Sequence, residues 1–190
     1  MAMSREQIMT AAIQHLNESP SASMAQLAEA VGISRATLHR HFSSREELML
    51  ALSRRGHDQW ERVQLDAGLE AATASGDREM LEKAMRALLV GLIEVADEYA
   101  FGLTDYALAY HPELQRRVAE LEDRELAFYT AAQRAGLLST RLPARWVGSL
   151  MYGLLVAVRD SLRHGDIARR DVPGLLLDTF LHGAAPRRDS

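Results

Sequence analysis

A chain of 190 residues, 47% hydrophobic and 25% charged, has the balance of a soluble globular protein with one sizeable core or a small module fused to a larger one. It contains no cysteine, which excludes disulfides and thiolate metal sites and makes an unoxidised, cytoplasmic setting the expectation. The net charge of −4 is unevenly placed: five arginines between Ile33 and His57 stand against Glu46 and Glu47, while the acidic excess lies beyond residue 60. The opening "MAMSREQIMTAAIQ" reads as too polar for a signal peptide, and no stretch reaches the roughly 18 charge-free apolar residues of a membrane span, so no membrane partner is expected.

The chain reads as helical from end to end, with no run that alternates apolar and polar residues long enough for a strand. Ser4 is placed to cap a first helix with Ile8, Ala12 and Leu16 on one face, ended by "NESPSAS". Ser23, with Gln26 three residues on, caps a second helix from Met24 to Val31 that stops at Gly32, where positive φ is cheap. Ser34 caps a third helix to about Phe42. Ser44 and Glu47 form a further capping box and start a long fourth helix to about Thr73. After "TASGD" a fifth helix spans roughly residues 78–98, a sixth 101–110, a seventh from Pro112 to near Gly136, an eighth from Pro143 to about His164, and a ninth from Pro173 to about Gly183.

The second and third helices are each about two turns long and joined through Gly32, which is helix-turn-helix spacing. Leu27, Ala28, Val31, Ile33, Leu38 and Phe42 supply the apolar side. The other side of the third helix offers Arg35, Thr37, His39 and Arg40. A recognition helix enters the major groove N-terminus first, so Arg35 suits a bidentate contact to guanine and Thr37 a thymine methyl or a phosphate. Ser23, Ser34, Ser44 and Arg45 lie at helix starts, where hydroxyls and amides suit phosphates; Ala36 and His41 complete the candidate DNA-binding set. The same pattern also fits a three-helix packing unit with a solvated polar face.

The run "MAQLAEAVGISRATLHRHFSSREELM" resembles the DNA-binding segment of the tetracycline-repressor (TetR) family. Gly32, Ile33, Ser34, Thr37, Leu38, Phe42, Ser44 and Glu46 match its usual pattern. Ala36 stands where glycine is usual, Arg45 where lysine is usual, and His39 where the family has a tyrosine that typically contacts DNA. A histidine there can donate to a phosphate, with a strength that varies with pH. The close match covers roughly residues 5–52; beyond it the likeness is in length and helix count. The resemblance implies an all-α fold of about nine helices. An N-terminal three-helix helix-turn-helix module, residues 1–50, would precede a helical effector-binding and dimerisation domain, residues 51–190. It also implies a homodimer that binds a palindromic double-stranded operator as a ligand-responsive repressor. Two alternatives stay open: a DNA-binding dimer of the same fold without a small-molecule effector, and a helical ligand-binding protein with a vestigial DNA module.

From Trp146 to Val158, "WVGSLMYGLLVAV", the eighth helix carries no charge and must be covered on more than one side. The ninth is also strongly apolar. In the resembled family the last two long helices pair with their symmetry mates, which points to Leu150, Gly153, Leu154, Ala157, Leu176 and Phe180 as interface candidates. Met85, Leu89, Leu92, Phe101, Asp105, Tyr106, Tyr110, Phe128 and Trp146 are candidates to line a pocket for a small, moderately hydrophobic effector. No catalytic motif is visible, and no cofactor or metal is expected: His39 and His41 at i, i+2 do not face each other on a helix and no carboxylate completes a set.

Overall fold

Serine side chains open the first helices. Ser4 Oγ accepts from the Gln7 N–H at 3.2 Å while Gln7 Oε1 accepts from the Ser4 N–H at 2.9 Å, a reciprocal pair that starts α1 (Arg5–Glu18). Ser23 and Gln26 repeat it at the start of α2 (Met24–Val31). Gly32 ends α2 at φ +78°, a conformation glycine adopts without strain, and its N–H and that of Ile33 close the last carbonyls. Ser34 then caps α3 (Arg35–His41) through the Thr37 N–H at 3.0 Å.

The computed structural model describes residues 3–103 and 111–184. Beyond α3 come α4 (Arg45–Asp66), α5 (Leu69–Ser75), α6 (Arg78–Glu98), a 3-10 turn (Ala100–Leu103), α7 (Pro112–Arg134), α8 (Ala144–His164), a 3-10 turn (Arg169–Asp171) and α9 (Val172–Ala184). The regular structure among the described residues is helical throughout, nine α-helices with two 3-10 turns, so the fold is all-α.

Three elements differ from the sequence expectation. The long fourth helix ends at Asp66 instead of Thr73, because Gly68 sits at φ +70° and redirects the chain. Leu65 before the bend is 57% exposed, whereas Leu69 and Ala72 after it are buried, so the break is what brings the apolar side of α5 inward. The box at α4 is shifted: Ser44 Oγ accepts from the Glu47 N–H at 3.1 Å, but the Glu47 carboxylate reaches past Ser44 to the N–H and hydroxyl of Ser43, at 2.8 and 2.7 Å. The expected sixth helix, 101–110, begins instead as the 3-10 turn, and its remaining residues lie outside the described residues.

The chain divides into two compact units. Unit 1 comprises Met1–Asp58 with Glu98–Gln115, and unit 2 comprises Gln59–Asp97 with Arg116–Ser190. Unit 1 therefore includes a segment drawn from the middle of the sequence. Its core is built on Ile8, Leu16, Leu27, Leu38, Phe42, Leu48 and Leu52, all 0–1% exposed, each burial stabilising by about 1.5–3 kcal/mol. Arg5 lies over the outer face of this core, 4.5 Å from the Phe42 ring centroid, and pairs with Glu47. The core of unit 2 includes Leu81, Met85, Leu88, Leu89, Leu121, Phe128, Tyr129, Val147 and Phe180.

Candidate nucleic-acid interface

α3 turns Leu38 into the core of unit 1 and leaves Arg35, Ala36, His39 and Arg40 exposed, with Thr37 and His41 half-buried. No acidic residue lies on this helix. Arg35 stands in its first turn, where the helix dipole disfavours a cation, and has no hydrogen-bond or ion-pair partner among the described residues. A positively charged face at a helix start, held by no carboxylate of its own fold, is suited to an external polyanion. Thr37 is held in place: its hydroxyl lies 2.9 Å from Ser34 Oγ and accepts from Arg40 Nη2 at 3.3 Å. The Ser34–Thr37–Arg40 chain fixes three candidate contact residues in one orientation.

The serines expected at phosphates have local duties. Ser23, Ser34 and Ser44 each accept from the amide three residues on, and the Ser23 hydroxyl donates to Gln26 Oε1 at 2.9 Å. Arg45, expected at a phosphate, also bonds its own chain. Its Nε donates to the Ala22 carbonyl at 3.1 Å and its Nη2 to the Pro20 carbonyl at 2.7 Å, so the guanidinium clamps the loop that leads into α2. The fit is geometric: the rigid planar fork presents two donors in fixed directions to two carbonyls of one turn.

In unit 2, Met85, Leu89 and Leu92 on α6 and Phe128 on α7 are buried. Phe101 is also buried but belongs to unit 1. Asp105, Tyr106 and Tyr110 lie outside the described residues. Trp146 is 59% exposed on α8. A groove of about 420 Å³ in unit 2, with Thr73, Asp123, Thr130 and Arg134 in its wall, contains none of the sequence-predicted pocket residues. Of the interface candidates, Gly153 and Ala157 are exposed on α8 and Leu150 and Leu154 half-buried. Leu176 and Phe180, at 2% and 0% exposure, pack inside the protomer.

A buried polar cluster in unit 2 escapes the sequence reading. Glu125 of α7 is 7% exposed, and three side chains donate to it: Trp60 Nε1 at 2.6 Å and Gln64 Nε2 at 2.9 Å from α4, and the Tyr129 hydroxyl at 3.0 Å. Burial pushes the Glu125 carboxyl above the usual carboxylate range against the pull of these donors, and burial likewise raises the Tyr129 hydroxyl. Arg124 Nη1 donates to Gln64 Oε1 at 2.9 Å, which fixes the amide so that its nitrogen faces Glu125 and the Leu121 carbonyl. Arg117 and Arg124 both pair with Glu61, which holds that carboxyl below its ordinary range, chiefly through its bond to Arg117. The signal was there to find: Glu125 occupies a core position in the stripe Leu121, Phe128, Ala132, where an apolar residue is expected.

Residues 8–52 match the family described as bacterial regulatory proteins, tetR family. The chain is 29% identical to the HTH-type transcriptional regulator NfxB of Pseudomonas aeruginosa over 183 residues, covering 95% of this chain and 94% of that protein. It is 24% identical to the HTH-type transcriptional repressor LfrR of Mycolicibacterium smegmatis, covering 94% and 89%. Among solved structures, LfrR in complex with proflavine superposes with a TM-score of 0.72 at 21% identity over 96% of this chain and 97% of that one. The ketosteroid transcriptional regulator KstR2 of Mycobacterium tuberculosis gives 0.76 at 17% identity, covering 98% of each chain. A helix-turn-helix segment that matches the tetR family by sequence thus sits in an all-α fold that matches TetR-like regulators along nearly the whole chain.

Proposed function

We propose that the protein is a homodimeric, ligand-responsive repressor that reads a palindromic operator with α3 and holds a small, moderately hydrophobic effector in its helical domain. The observation that carries the reading is the acid-free face of α3, with Arg35 unpartnered at its start and the Ser34–Thr37–Arg40 chain holding its neighbours. Arg35, Ala36 and His39 are the base-edge candidates, and Arg40 and His41 suit the flanking phosphates. Ser23, Ser34 and Ser44 would meet phosphates with their helix-start amides and hydroxyls, while Arg45 acts indirectly through the loop it clamps.

The dimer is supported by the face of α8 on which Trp146, Gly153 and Ala157 are exposed and Leu150 half-buried, at helical spacing of four, three and four residues. Small residues at its centre let a second helix approach closely. Two copies are what a palindrome requires. The effector is supported by the relative solved with proflavine bound. The apolar candidates Met85, Leu89, Leu92, Phe101 and Phe128, with Asp105, Tyr106 and Tyr110, stand as its proposed surroundings. An effector that lowers operator affinity 100- to 1,000-fold must favour the non-binding state by about 3 to 4 kcal/mol. α4 is one direct covalent link for such a change, since Arg45–Asp58 belong to unit 1 and Gln59–Asp66 to unit 2; α6 and α7 cross the same boundary.

Fluorescence anisotropy with DNA upstream of the protein's own gene, and with duplexes selected from random sequence, tests the reading against scrambled DNA at two salt concentrations. Tight, sequence-dependent binding with two protomers per duplex is expected. Equal affinity for all sequences, selected duplexes included, would sink it.

A further inference from the structure

Residues 98–103 lie in the middle of the sequence yet pack as part of unit 1. Asn17, one residue from the end of α1, holds the start of this segment with both ends of its amide. Its Nδ2 donates to the Glu98 carbonyl at 2.8 Å, and its Oδ1 accepts from the Phe101 N–H at 3.0 Å. Glu98 is the last residue of α6, so its carbonyl has no partner within the helix. A carboxamide offers donor and acceptor side by side, as a peptide group does, and so docks a stretch of backbone irrespective of its side chains.

Other contacts reinforce the joint. Arg55 of α4 donates to the Thr10 hydroxyl at 3.0 Å and pairs with Glu98 at 3.4 Å and Glu6 at 3.6 Å, tying α1, α4 and the end of α6 to one guanidinium. Gly56 lies so close to the Tyr99 ring that a Cβ there would stand 3.3 Å from it; the ring packs against bare α4 backbone. Arg54 grips Glu113 in the first turn of α7 with two bonds, at 2.7 and 2.6 Å.

We propose that Asn17 is a positioning residue that couples this mid-chain segment to DNA binding: it makes residues 98–103 move with α1, which packs on the helix-turn-helix pair. By linkage the coupling runs both ways, so DNA held at α3 steadies residues 98–103, and a displacement of 98–103 is felt at α3. The proposal rests on the DNA-binding reading but needs no effector.

Hydrogen–deuterium exchange on the full chain tests it, with wild type and Asn17→Ala, each alone and with an operator duplex selected from random DNA. In the free protein, Asn17→Ala speeds exchange of residues 99–103 by about tenfold or more and leaves α8 unchanged. In wild type, the duplex slows exchange at 99–103 by about threefold or more. In the variant this slowing is lost although anisotropy shows operator affinity within about threefold of wild type. Should Asn17→Ala not fold, Asn17→Asp keeps the acceptor for Phe101 and loses the donor to Glu98, and gives the same changes in weaker form. Unaltered exchange at 99–103 in the free variant overturns the proposal, as does DNA-induced slowing that survives the substitution. Wild type that binds the duplex without slowing at 99–103 overturns the coupling alone. Wild type that binds no selected duplex overturns the DNA-binding reading and the coupling with it.

Discussion

Arg45 is a cation at the start of α4 whose charge faces its own chain. Two bonds to loop carbonyls, one of them 2.7 Å, fix the turn before Ser23 and therefore the entry into α2. Arg45→Ala should lower the stability of the protein to urea by about 1 to 3 kcal/mol, the worth of losing charge-assisted bonds, and leave the salt slope of DNA binding unchanged. A slope reduced by about one per protomer at unaltered stability would return Arg45 to the phosphate contacts. Arg35 is the opposite case, a cation with no partner among the described residues. Arg35→Ala should cost about 1 to 3 kcal/mol on the selected operator and relax sequence preference, with stability unchanged; a loss equal on all sequences would make Arg35 a phosphate contact instead. The contrast shows what single residues disclose from sequence. The caps at Ser4, Ser23 and Ser34 are legible because partner and cap are three residues apart. The role of Arg45 is not, because Pro20 and Ala22 are brought to it only by the fold.

Between elements, the cluster on Glu125 joins α4 to α7 inside unit 2. Its carboxyl is raised by burial in the folded state relative to the unfolded chain, so the charged form is the one folding disfavours. The stabilising contribution of this group is complete below the unfolded carboxyl pKa and declines as pH rises towards the folded one. Glu125→Gln cannot ionise and retains an oxygen for Trp60 and Gln64. Wild type should therefore gain stability relative to Glu125→Gln as pH falls from 8 to 5, as read by urea unfolding at each pH. A difference that is flat or grows in the other sense would reject burial as the dominant influence. Helix periodicity made most elements visible in the sequence, including α2, α3, α6 and α8. It missed the break at Gly68, since an apolar pattern continues across it and only the conformation of one residue divides α4 from α5. It also passed over Glu125 and Gln64, whose burial depends on donors from another helix.

At the scale of the whole molecule, the proposed palindromic operator would require two protomers to place two recognition helices on it. The sequence marked α8 and α9 as too apolar to stand alone, and the structure divides that apolar surface in two. Val147, Met151 and Leu155 of α8 and Leu176 and Phe180 of α9 are consumed within the protomer. Trp146, Gly153 and Ala157 remain outward on α8, and Leu175, 47% exposed, on α9. A sequence could not assign the inward and outward faces of a helix apolar all round, because nothing in its pattern breaks the symmetry. The outward face of α8 is therefore the one to test. Gly153→Glu adds both bulk and charge where the small residue permits close helix approach, without disturbing the protomer core, since nothing lies within 4 Å of the added Cβ. Sedimentation equilibrium should find the variant monomeric at concentrations where wild type is dimeric, with helix content and urea midpoint of the monomer retained. Operator affinity should fall on the order of 100-fold, because each half-site is then bound without the effective concentration that the partner supplies. Binding to an isolated half-site duplex should be unchanged. An intact dimer in the variant would place the two-fold contact elsewhere, and equal loss on half-site and full operator would show that the substitution had damaged the DNA-binding unit itself.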